Sequence, residues 1–482
     1  MRRTVGSFLA PAVFLALLAL PFPGLSSEAH RLAAVMGAVV VLWVTEALPL
    51  PVTALLGASA CVALDVAPAR EVFAPFADPL MFLFIGAFIL ARGIFLHGLD
   101  RRVAYAVLSL PWVGARPARI LVAFGAATAL LSAWISNTAT TAMMFGIGLS
   151  ILAALRSQAA SGTIDPRYAT ALMLMTSFAA SIGGLATPVG TPPNLIGIGF
   201  IRSQLGVEIA FFQWMLIGIP VVALLFGFLA VYLNLVGPSG LRELPAGAEL
   251  IRHERAQLGP WTTGQRSVAI AFGLTVALWV VPGVTALVAG EESPVYLALS
   301  RRVPEGVAAL VGASLLFVLP GKDGPAITWR EATQIDWGVV LLYGGGFALG
   351  VLSFQTGLAE GMGRGLTSLL PVHGSFGLLV ASVVLATILS ETTSNTASAN
   401  MVVPVVIAIA RAAGLDPLEA ALGATLGSSL GFMLPVSTPC NAIVYGSGYI
   451  PLGRMIRWGF LLDVVGVVVI IGLVRALSPL LR

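Results

Sequence analysis

The chain has 482 residues, of which 58% are hydrophobic and only 10% are charged, and its formal net charge is +4 at pH 7. Soluble domains carry about 25% charged residues, so the composition excludes an ordinary soluble protein. The basic residues lie singly or in pairs at the ends of apolar segments, as membrane topology signals do, which argues against a nucleic-acid partner. Because a membrane span needs about 20 mostly apolar residues, the sequence predicts an all-α polytopic protein of ten to twelve spans.

Side chains that could carry chemistry are sparse. Cys61 and Cys440 stand in apolar surroundings and are expected to be free thiols. The four histidines are scattered near predicted segment ends, which argues against a metal centre of the zinc type. No nucleophile–base pair converges in the sequence, so we predict no enzyme, no catalytic residue and no cofactor.

The first element is an apolar run behind Arg2 and Arg3, within residues 1–30, that could be a signal peptide or a first spanning helix. We predict a spanning helix, because the rest of the chain is membrane-embedded and prolines interrupt the run. Arg2 and Arg3 then place the N-terminus in the cytoplasm, and Arg454 and Arg457 place the start of the last span there. We therefore expect the C-terminus in the periplasm.

The rest of the chain divides into two halves, residues 31–237 and residues 265–482. The polar segment 238–264 between them is predicted to be a cytoplasmic linker. An odd number of spans in each half would make the two halves inverted relative to each other.

Paired motifs indicate that the halves arose by duplication. A Ser-Asn-Thr triplet at 136–138 recurs at 394–396, an offset of 258 positions (394 − 136). The proline-rich segment 187–194 recurs at 434–441, an offset of 247 positions (434 − 187). Matches that keep one order along the chain are typical of secondary transporters built from internal repeats.

These four places are polar interruptions of apolar segments. The triplets lie between arms shorter than a span, so we predict re-entrant hairpins around 118–155 and 374–411. The proline-rich segments are predicted to break the helices 169–200 and 417–448, because proline removes a backbone donor. In hydrocarbon such breaks persist only where they line a cavity or are buried in protein. Packing between helices through small residues is the alternative for any single cluster.

Broken helices have a chemistry of their own. Helix N-termini carry partial positive charge that suits carboxylates, and unwound carbonyls suit Na⁺ or H⁺. Two tips could hold the two ends of a dicarboxylate, and since no Arg or Lys lies in the clusters, bound cations would compensate its charge. Glu391, beside the second triplet, could take a proton or orient the tip through backbone N–H groups, and we favour the orienting role.

The segments 43–51, 132–144, 187–194, 390–399 and 435–445 resemble those of the divalent-anion/sodium symporter family, the INDY-type dicarboxylate and citrate carriers. The resemblance implies about eleven transmembrane helices, two re-entrant hairpins and two discontinuous helices, arranged as inverted repeats. It also implies a homodimer, with a scaffold domain and a transport domain that moves as an elevator.

The resemblance further implies which residues form the site. The substrate-binding residues would be Asn137, Thr138, Ser394, Asn395, Thr396, Ser398, Thr438 and Pro439. The coupling Na⁺ ions would be held by Ser132, Ser136, Asn137 and Gly190 in the first half and by Ser390, Ser394, Asn395 and Ser437 in the second. Two departures from the first half stand out, since Cys440 replaces Pro193 and Ser437 replaces Gly190.

The function implied by the resemblance is sodium-coupled uptake of C4-dicarboxylates, such as succinate, malate and fumarate, across the inner membrane. A sodium-independent dicarboxylate exchanger of the same fold stays open, as does a citrate or sulfate carrier. An exchanger could replace the cation ligands by a fixed basic residue, which the polar clusters lack.

Overall fold

The computed structural model describes residues 2–158, 165–240, 242–243, 245–290, 292–369 and 374–481. Within these ranges the chain is helical throughout, with a single isolated β-bridge between Pro320 and Pro325. The α-helices are α1 (Arg2–Ala19), α2 (Ser27–Thr45), α3 (Leu50–Ala63), α4 (Ala69–Phe73), α5 (Pro79–Leu96), α6 (Leu99–Leu108), α7 (Pro117–Ser132), α8 (Asn137–Gln158), α9 (Pro166–Gly183), α10 (Pro192–Leu205), α11 (Phe211–Val236), α12 (Pro245–Gln257), α13 (Thr263–Ala289), α14 (Pro294–Arg302), α15 (Glu305–Leu315), α16 (Trp329–Ala332), α17 (Trp337–Gln355), α18 (Leu358–Leu369), α19 (Gly374–Thr392), α20 (Asn395–Ala412), α21 (Leu418–Gly427), α22 (Pro439–Tyr445) and α23 (Leu452–Leu477).

Eleven stretches of the described chain are long and apolar enough to cross a membrane, which confirms the predicted polytopic all-α class. They are not the set that the sequence predicted, because α8, α19 and α20 are among them, although we expected those helices to be hairpin arms. Conversely, α3, α7 and α15 are apolar but shorter. Length alone therefore does not decide which helices span, and the re-entrant course of the hairpins stays a prediction.

Each Ser-Asn-Thr triplet begins a helix at the tip of a helix pair. The link between α7 and α8 runs from 133 to 136, and the link between α19 and α20 consists of 393 and 394. In both tips the first serine caps the second helix. Ser136 Oγ accepts from the Ala139 N–H at 3.2 Å, and Ser394 Oγ accepts from the Ala397 N–H at 3.2 Å. A serine that satisfies an otherwise unpaired N–H of the first turn explains why the triplets occur at helix starts.

The proline-rich segments lie where two further helices are interrupted. The break between α9 and α10 covers 184–191 and includes a short 3₁₀ turn, while the break between α21 and α22 covers 428–438. Pro192 and Pro439 each occupy the first position of the helix that follows, where proline needs no donor. Both breaks therefore fall at the places where the sequence predicts them.

The two breaks are held by the same pair of hydrogen bonds. The Asn194 side-chain amide donates to the Gly184 and Thr187 carbonyls at 3.0 and 2.8 Å. The Asn441 amide donates to the Gly431 and Leu434 carbonyls at 2.9 and 3.0 Å. Every atom pair in the second set lies 247 positions after its twin (441 − 194), so the duplication extends to the contacts that close each break.

Helix packing divides the described helices into two groups. In one group α9 packs against α7, α8 and α11, and α21 packs against α19, α20 and α23. The halves interlock there, because α22 contacts α8 and α9, whereas α10 contacts α20 and α21. In the other group α15 packs on α5 and α13, and α3 packs on α2 and α17. Contacts between α6 and α7, α11 and α13, and α18 and α20 connect the groups.

Small residues allow the closest approaches in the first group. A Cβ on Gly183 of α9 would lie 2.3 Å from the Ala129 carbonyl oxygen of α7, closer than non-bonded atoms can come. Glycine at this crossing therefore permits backbone contact between the hairpin arm and the broken helix.

The predicted linker 238–264 contains a helix, α12, that packs against α6 and α8. Ala248 and Ile251 are buried in this contact, while Arg252, Glu254 and Arg255 lie partly or fully exposed. The polar composition of the segment thus reflects an amphipathic surface helix.

Candidate substrate and cation site

Both hairpin tips and both helix breaks open into one cavity of about 880 Å³. Most of the residues that the sequence predicted for the site line this cavity, namely Ser136, Asn137, Thr138, Gly190, Ser394, Asn395, Thr396, Ser437, Thr438 and Pro439. These residues are far apart in the chain, and the interlocked packing of the two halves brings them together.

Three predicted residues do not line the cavity and are completely buried, namely Ser132, Ser390 and Ser398. Ser132 and Ser390 lie directly beneath the two tips. The Ser398 hydroxyl donates to the Ala386 carbonyl at 3.0 Å and so fastens α20 to α19. Ser398 therefore helps to pack α20 against α19 and does not contact the cavity.

The first tip contains a cluster of oxygen atoms around Asn137. The Asn137 side chain has one amide atom, oxygen or nitrogen depending on how the amide is turned, that lies among three oxygens. This atom is 2.7 Å from Ser132 Oγ, 3.3 Å from the Gly190 carbonyl oxygen and 3.2 Å from the Ala180 carbonyl oxygen. With the amide nitrogen in this position, its two N–H groups can donate to two of the three oxygens at a time. With the amide oxygen there, four oxygens converge and share only the hydroxyl proton of Ser132, a set that suits a cation.

This donor set fits Na⁺ without a charged ligand, since unwound carbonyls and neutral side-chain oxygens hold coupling ions in broken-helix transporters. Three of the four predicted ligands belong to it, namely Ser132, Asn137 and Gly190. Ser136 instead caps α8. Ala180 was missed by the sequence reasoning, because it contributes only a main-chain oxygen and leaves no side-chain pattern.

The second tip repeats the serine–asparagine contact. Ser390 Oγ lies 2.8 Å from Asn395 Oδ1 and 2.7 Å from the Ser428 carbonyl oxygen. One hydroxyl proton can serve only one of these oxygens, so this cluster also has fewer donors than acceptors. Ser390 and Asn395 were predicted cation ligands, and Ser428 is again a main-chain contribution that the sequence did not reveal.

Glu391 connects the second tip to the second break. Its carboxylate accepts from the Met433 and Leu434 N–H groups at 2.8 and 3.2 Å and from the Ser437 hydroxyl at 2.6 Å. Ser437 Oγ also lies 3.0 Å from the Glu391 carbonyl oxygen. Only 3% of Glu391 is exposed, and its carboxylate accepts these three hydrogen bonds close to the buried carboxyl of Asp463 on α23, with which it interacts. This geometry matches the orienting role that the sequence analysis favoured.

One face of the cavity consists of helix starts. α8, α20 and α22 begin at the cavity with Asn137, Asn395 and Pro439, and the cap of α22 is the Thr438 hydroxyl, which accepts from the Asn441 N–H at 3.1 Å. Helix starts present unpaired N–H groups and partial positive charge to a carboxylate. Ser181 adds a buried hydroxyl that has no partner within the described ranges and that sequence reasoning missed.

The structure also adds a basic residue to the cavity wall. Helix α5 lines the cavity with Phe88, Ala91, Arg92 and Phe95, which share one helix face. The polar clusters contain no Arg or Lys, and Arg92 reaches the cavity from a distant helix. A charge inside the apolar run of α5 was a signal that could have found it, because intramembrane charges mark functional sites by default.

Comparisons with known proteins agree with this architecture. The family model for the sodium:sulfate symporter transmembrane region matches residues 2–481. The sodium-dependent dicarboxylate transporter SdcS of Staphylococcus saprophyticus is 33% identical over 487 aligned residues, covering 99% of this chain and 92% of that protein. SdcS of Staphylococcus aureus strain USA300 is 32% identical with the same coverage.

Among solved structures, the crystal structure of the Alcanivorax borkumensis YdaH transporter matches with a TM-score of 0.56 and 15% identity. The match covers 97% of each chain and reflects a common fold. Together with the match of the family model along nearly the whole length, these findings show that the chain belongs to the divalent-anion/sodium symporter family, as its doubled Ser-Asn-Thr motifs predicted.

Proposed function

We propose that this protein is a secondary active transporter that couples the uptake of C4-dicarboxylates, such as succinate, malate and fumarate, to Na⁺. The observation that carries the proposal is the paired arrangement at one cavity. Two capped helix starts face it, and behind each tip lies a cluster of neutral oxygens, which at the first tip can bind a cation when the Asn137 amide oxygen turns toward it.

The substrate is held at both tips. Asn137 and Thr138 bind one carboxylate, and Asn395 and Thr396 bind the other, with Thr438 and Pro439 at the adjacent helix start and Ser394 capping α20. The tips themselves carry no Lys or Arg, so partial charges alone compensate a divalent anion poorly. Na⁺ ions at the two oxygen clusters supply the missing positive charge, which makes substrate binding depend on Na⁺.

The relatives support sodium coupling and a dicarboxylate substrate, because the staphylococcal proteins are named sodium-dependent dicarboxylate transporters. The family name refers to sodium and sulfate, so sulfate is the competing divalent anion. The cavity of about 880 Å³ has ample room for a four-carbon chain extended between the tips.

Translocation follows an elevator mechanism in this proposal. The packing group that contains the tips, the breaks, α11 and α23 moves as the transport domain, and the group around α3, α5, α15 and α17 serves as the scaffold. The protein functions as a homodimer in the inner membrane, with its N-terminus in the cytoplasm and its C-terminus in the periplasm.

The test is uptake of radiolabelled succinate into proteoliposomes with an inward Na⁺ gradient, compared with K⁺ or choline in place of Na⁺. We expect uptake that needs Na⁺ and needs no substrate inside the vesicles. Competition by unlabelled citrate and by sulfate, measured in the same assay, separates the substrate classes. Stronger competition by sulfate than by malate would contradict the assignment to dicarboxylates.

A second candidate is sodium-independent dicarboxylate exchange, which Arg92 favours because it places a fixed positive charge on the cavity wall. Exchange predicts uptake that requires internal dicarboxylate and is indifferent to Na⁺. That outcome would remove the cation role assigned to the Asn137 and Asn395 clusters.

A further inference from the structure

Arg92 lies on a part of the cavity wall that neither the tips nor the breaks supply. It belongs to α5, which packs in the second group of helices, and its neighbours along the same face are Phe88 and Phe95. Arg92 is half-buried on this face, so its guanidinium is partly shielded from water. A charge in such surroundings acts more strongly on an anion than the same charge in water.

The contacts of Arg92 leave its charge without a counter-ion. Its Nη2 donates to Gln334 Oε1, and the guanidinium stacks over the Phe95 ring at 5.8 Å from the centroid. Its Nε atom is buried and has no hydrogen-bond partner among the described residues. Arg92 also forms no ion pair within the described ranges. Gln334 itself lines the cavity, so the arginine and the amide face it together.

The acids around Arg92 are engaged elsewhere. Glu331 accepts from the Thr328 N–H at 2.8 Å and from its hydroxyl at 2.7 Å, and it interacts with Arg92 only through space. Asp336, on the cavity wall, accepts from the Val339 N–H at 3.2 Å at the start of α17. Both carboxylates therefore already accept hydrogen bonds at a helix start, and neither forms an ion pair with Arg92 within the described ranges.

Asp100 is the second acid that lines the cavity, besides Asp336, and is only 3% exposed. It accepts from the Arg101 N–H at 2.8 Å, and burial raises the pKa of its carboxyl above the ordinary value. Of the charged side chains lining the cavity, Arg92 is thus the one with neither an ion pair nor a helix start to compensate it.

We propose that Arg92 and Gln334 form an outer anion subsite, which receives one carboxylate of the substrate before that substrate docks between the two tips. A guanidinium offers several N–H donors in a planar fork that matches a carboxylate, and the Gln334 amide adds a neutral donor. The inference rests on the proposed function, because it assumes a carboxylate substrate for the same cavity. It adds a specificity-determining residue on a helix outside the group that carries the tips.

The proposed subsite speeds the first binding of the substrate anion and leaves Na⁺ binding and translocation unchanged. A positive charge at a cavity wall raises the local concentration of anions and speeds their encounter, and this attraction falls with ionic strength. The cation clusters beneath the tips do not contact Arg92. Its loss should therefore raise the KM for substrate and leave both the maximal rate and the Na⁺ dependence in place.

The experiment compares Arg92→Gln, Arg92→Lys and Gln334→Leu with wild type in proteoliposome uptake of succinate. Arg101→Gln is the matched control, since Arg101 is an exposed arginine of the neighbouring helix α6 that does not line the cavity. For Arg92→Gln we expect a roughly tenfold higher KM, as for the loss of one charge-assisted hydrogen bond, and a maximal rate within about twofold. Arg92→Lys restores most of the affinity, Gln334→Leu has a smaller effect, and Arg101→Gln behaves as wild type.

Ionic strength separates capture from a structural effect. At constant Na⁺, added choline chloride should raise the KM of wild type and of Gln334→Leu, and it should change the KM of Arg92→Gln much less. A lowered maximal rate at unchanged KM in Arg92→Gln would contradict the proposed subsite. The proposal would also be wrong if choline chloride raised the KM of Arg92→Gln as much as it raises the KM of wild type.

The test also distinguishes failure of this inference from failure of the proposed function. If wild type transports sulfate or citrate in place of succinate, the C4 assignment fails, and the same comparison of variants with that anion still decides for or against Arg92. If wild type transports succinate and all variants match it, the subsite alone is wrong.

Discussion

The two hairpin tips present the same face to the cavity but are fastened to their helix breaks by different chemistry. In the first half the Thr187 hydroxyl donates to the Ala133 carbonyl. In the second half Glu391 occupies the position of Ala133, 258 residues later (391 − 133), and its carboxylate binds two N–H groups and one hydroxyl of the break. A single neutral contact in one tip thus corresponds to a charged, multidentate one in the other.

A second difference between the halves, Gly190 against Ser437, accompanies the difference between Ala133 and Glu391. A Cβ on Gly190 would lie 2.5 Å from the Gly184 carbonyl oxygen, so only glycine fits there. Its counterpart Ser437 has room for a side chain and turns its hydroxyl toward Glu391. The two substitutions belong together, because the serine hydroxyl completes the hydrogen bonds of the carboxylate.

The comparison teaches that duplication preserved the contacts within each tip and within each break and let the contact between tip and break diverge. The capping serines, the serine–asparagine pairs and the asparagines that close the breaks are equivalent in both halves. Only the second tip holds a buried carboxylate one hydrogen bond away from a predicted cation ligand. The two cation clusters are therefore expected to differ in electrostatic strength and in tolerance to substitution.

The largest difference is expected when the fastening contact of each tip is removed. Glu391→Ala removes the acceptor of the partly buried Met433 and Leu434 N–H groups, whereas the Ser437 hydroxyl can still donate to the main-chain carbonyl of residue 391. Each unpaired donor costs about 1–3 kcal/mol, so we expect a loss of about 2 kcal/mol or more in stability and a strong loss of uptake. Thr187→Val removes one hydrogen bond and should cost about 1 kcal/mol. Thermal unfolding of the purified variants, together with succinate uptake, measures both effects.

Glu391→Gln serves as the control for the carboxylate. It keeps one acceptor oxygen of similar shape and should fall between wild type and Glu391→Ala in unfolding temperature. Equal destabilisation by Glu391→Ala and Thr187→Val would contradict the unequal fastening of the two tips.

An intermediate difference is expected when the small residues are exchanged between the tips. Gly190→Ser forces a side chain against the Gly184 carbonyl, and since overpacking costs about 1–3 kcal/mol, the Na⁺ concentration for half-maximal uptake should rise about tenfold. Ser437→Gly removes one hydroxyl contact, which is worth about 1 kcal/mol. The Na⁺ concentration for half-maximal uptake should therefore rise less than about tenfold in this variant. The measurement is the Na⁺ dependence of succinate uptake at constant ionic strength.

Gly190→Ala tests whether bulk causes the defect, because it adds the Cβ without the hydroxyl. It should behave like Gly190→Ser. A Gly190→Ser variant with normal Na⁺ dependence would show that the first oxygen cluster takes no part in coupling.

The smallest difference concerns Cys440, which lines the cavity where the first half has Pro193. Proline is well tolerated in the first turn of a helix, so Cys440→Pro should fold normally and change the KM for succinate by less than about tenfold. Because Cys440 is only 2% exposed, we expect wild type to react slowly with small thiol reagents, succinate to slow that reaction further, and Cys440→Pro not to react at this position. Uptake before and after reagent treatment provides the measurement.

Cys440→Ser, which keeps the backbone N–H, separates the thiol from the backbone and should be equally resistant to the reagent. Cys61 belongs to α3, is fully buried and should not react. Persistent inhibition of Cys440→Pro would place the reactive thiol elsewhere.

Much of the fold was accessible from the sequence because membranes restrict it so strongly. Long apolar runs predict helices in hydrocarbon, and interruptions such as 187–194 and 434–441 predict breaks, since unpaired backbone groups are costly there. The repeat offsets then identified equivalent positions without any coordinates. We expected α8, α19 and α20 to be arms shorter than a span, whereas each is long enough to cross a membrane, and their re-entrant course stays a prediction.

The sequence by itself determined the all-α membrane class, the duplication and the polar residues of the two tips. Composition, apolar runs and repeated motifs carry this information without any knowledge of which residues are in contact. Only the tertiary structure decided which atoms meet. The carbonyls of Ala180 and Ser428, the buried carboxylate contacts of Glu391 and the approach of Arg92 to the cavity all depend on packing between distant helices. Main-chain oxygens have no residue signature, and a lone arginine on a helix face gains its meaning from what that face packs against.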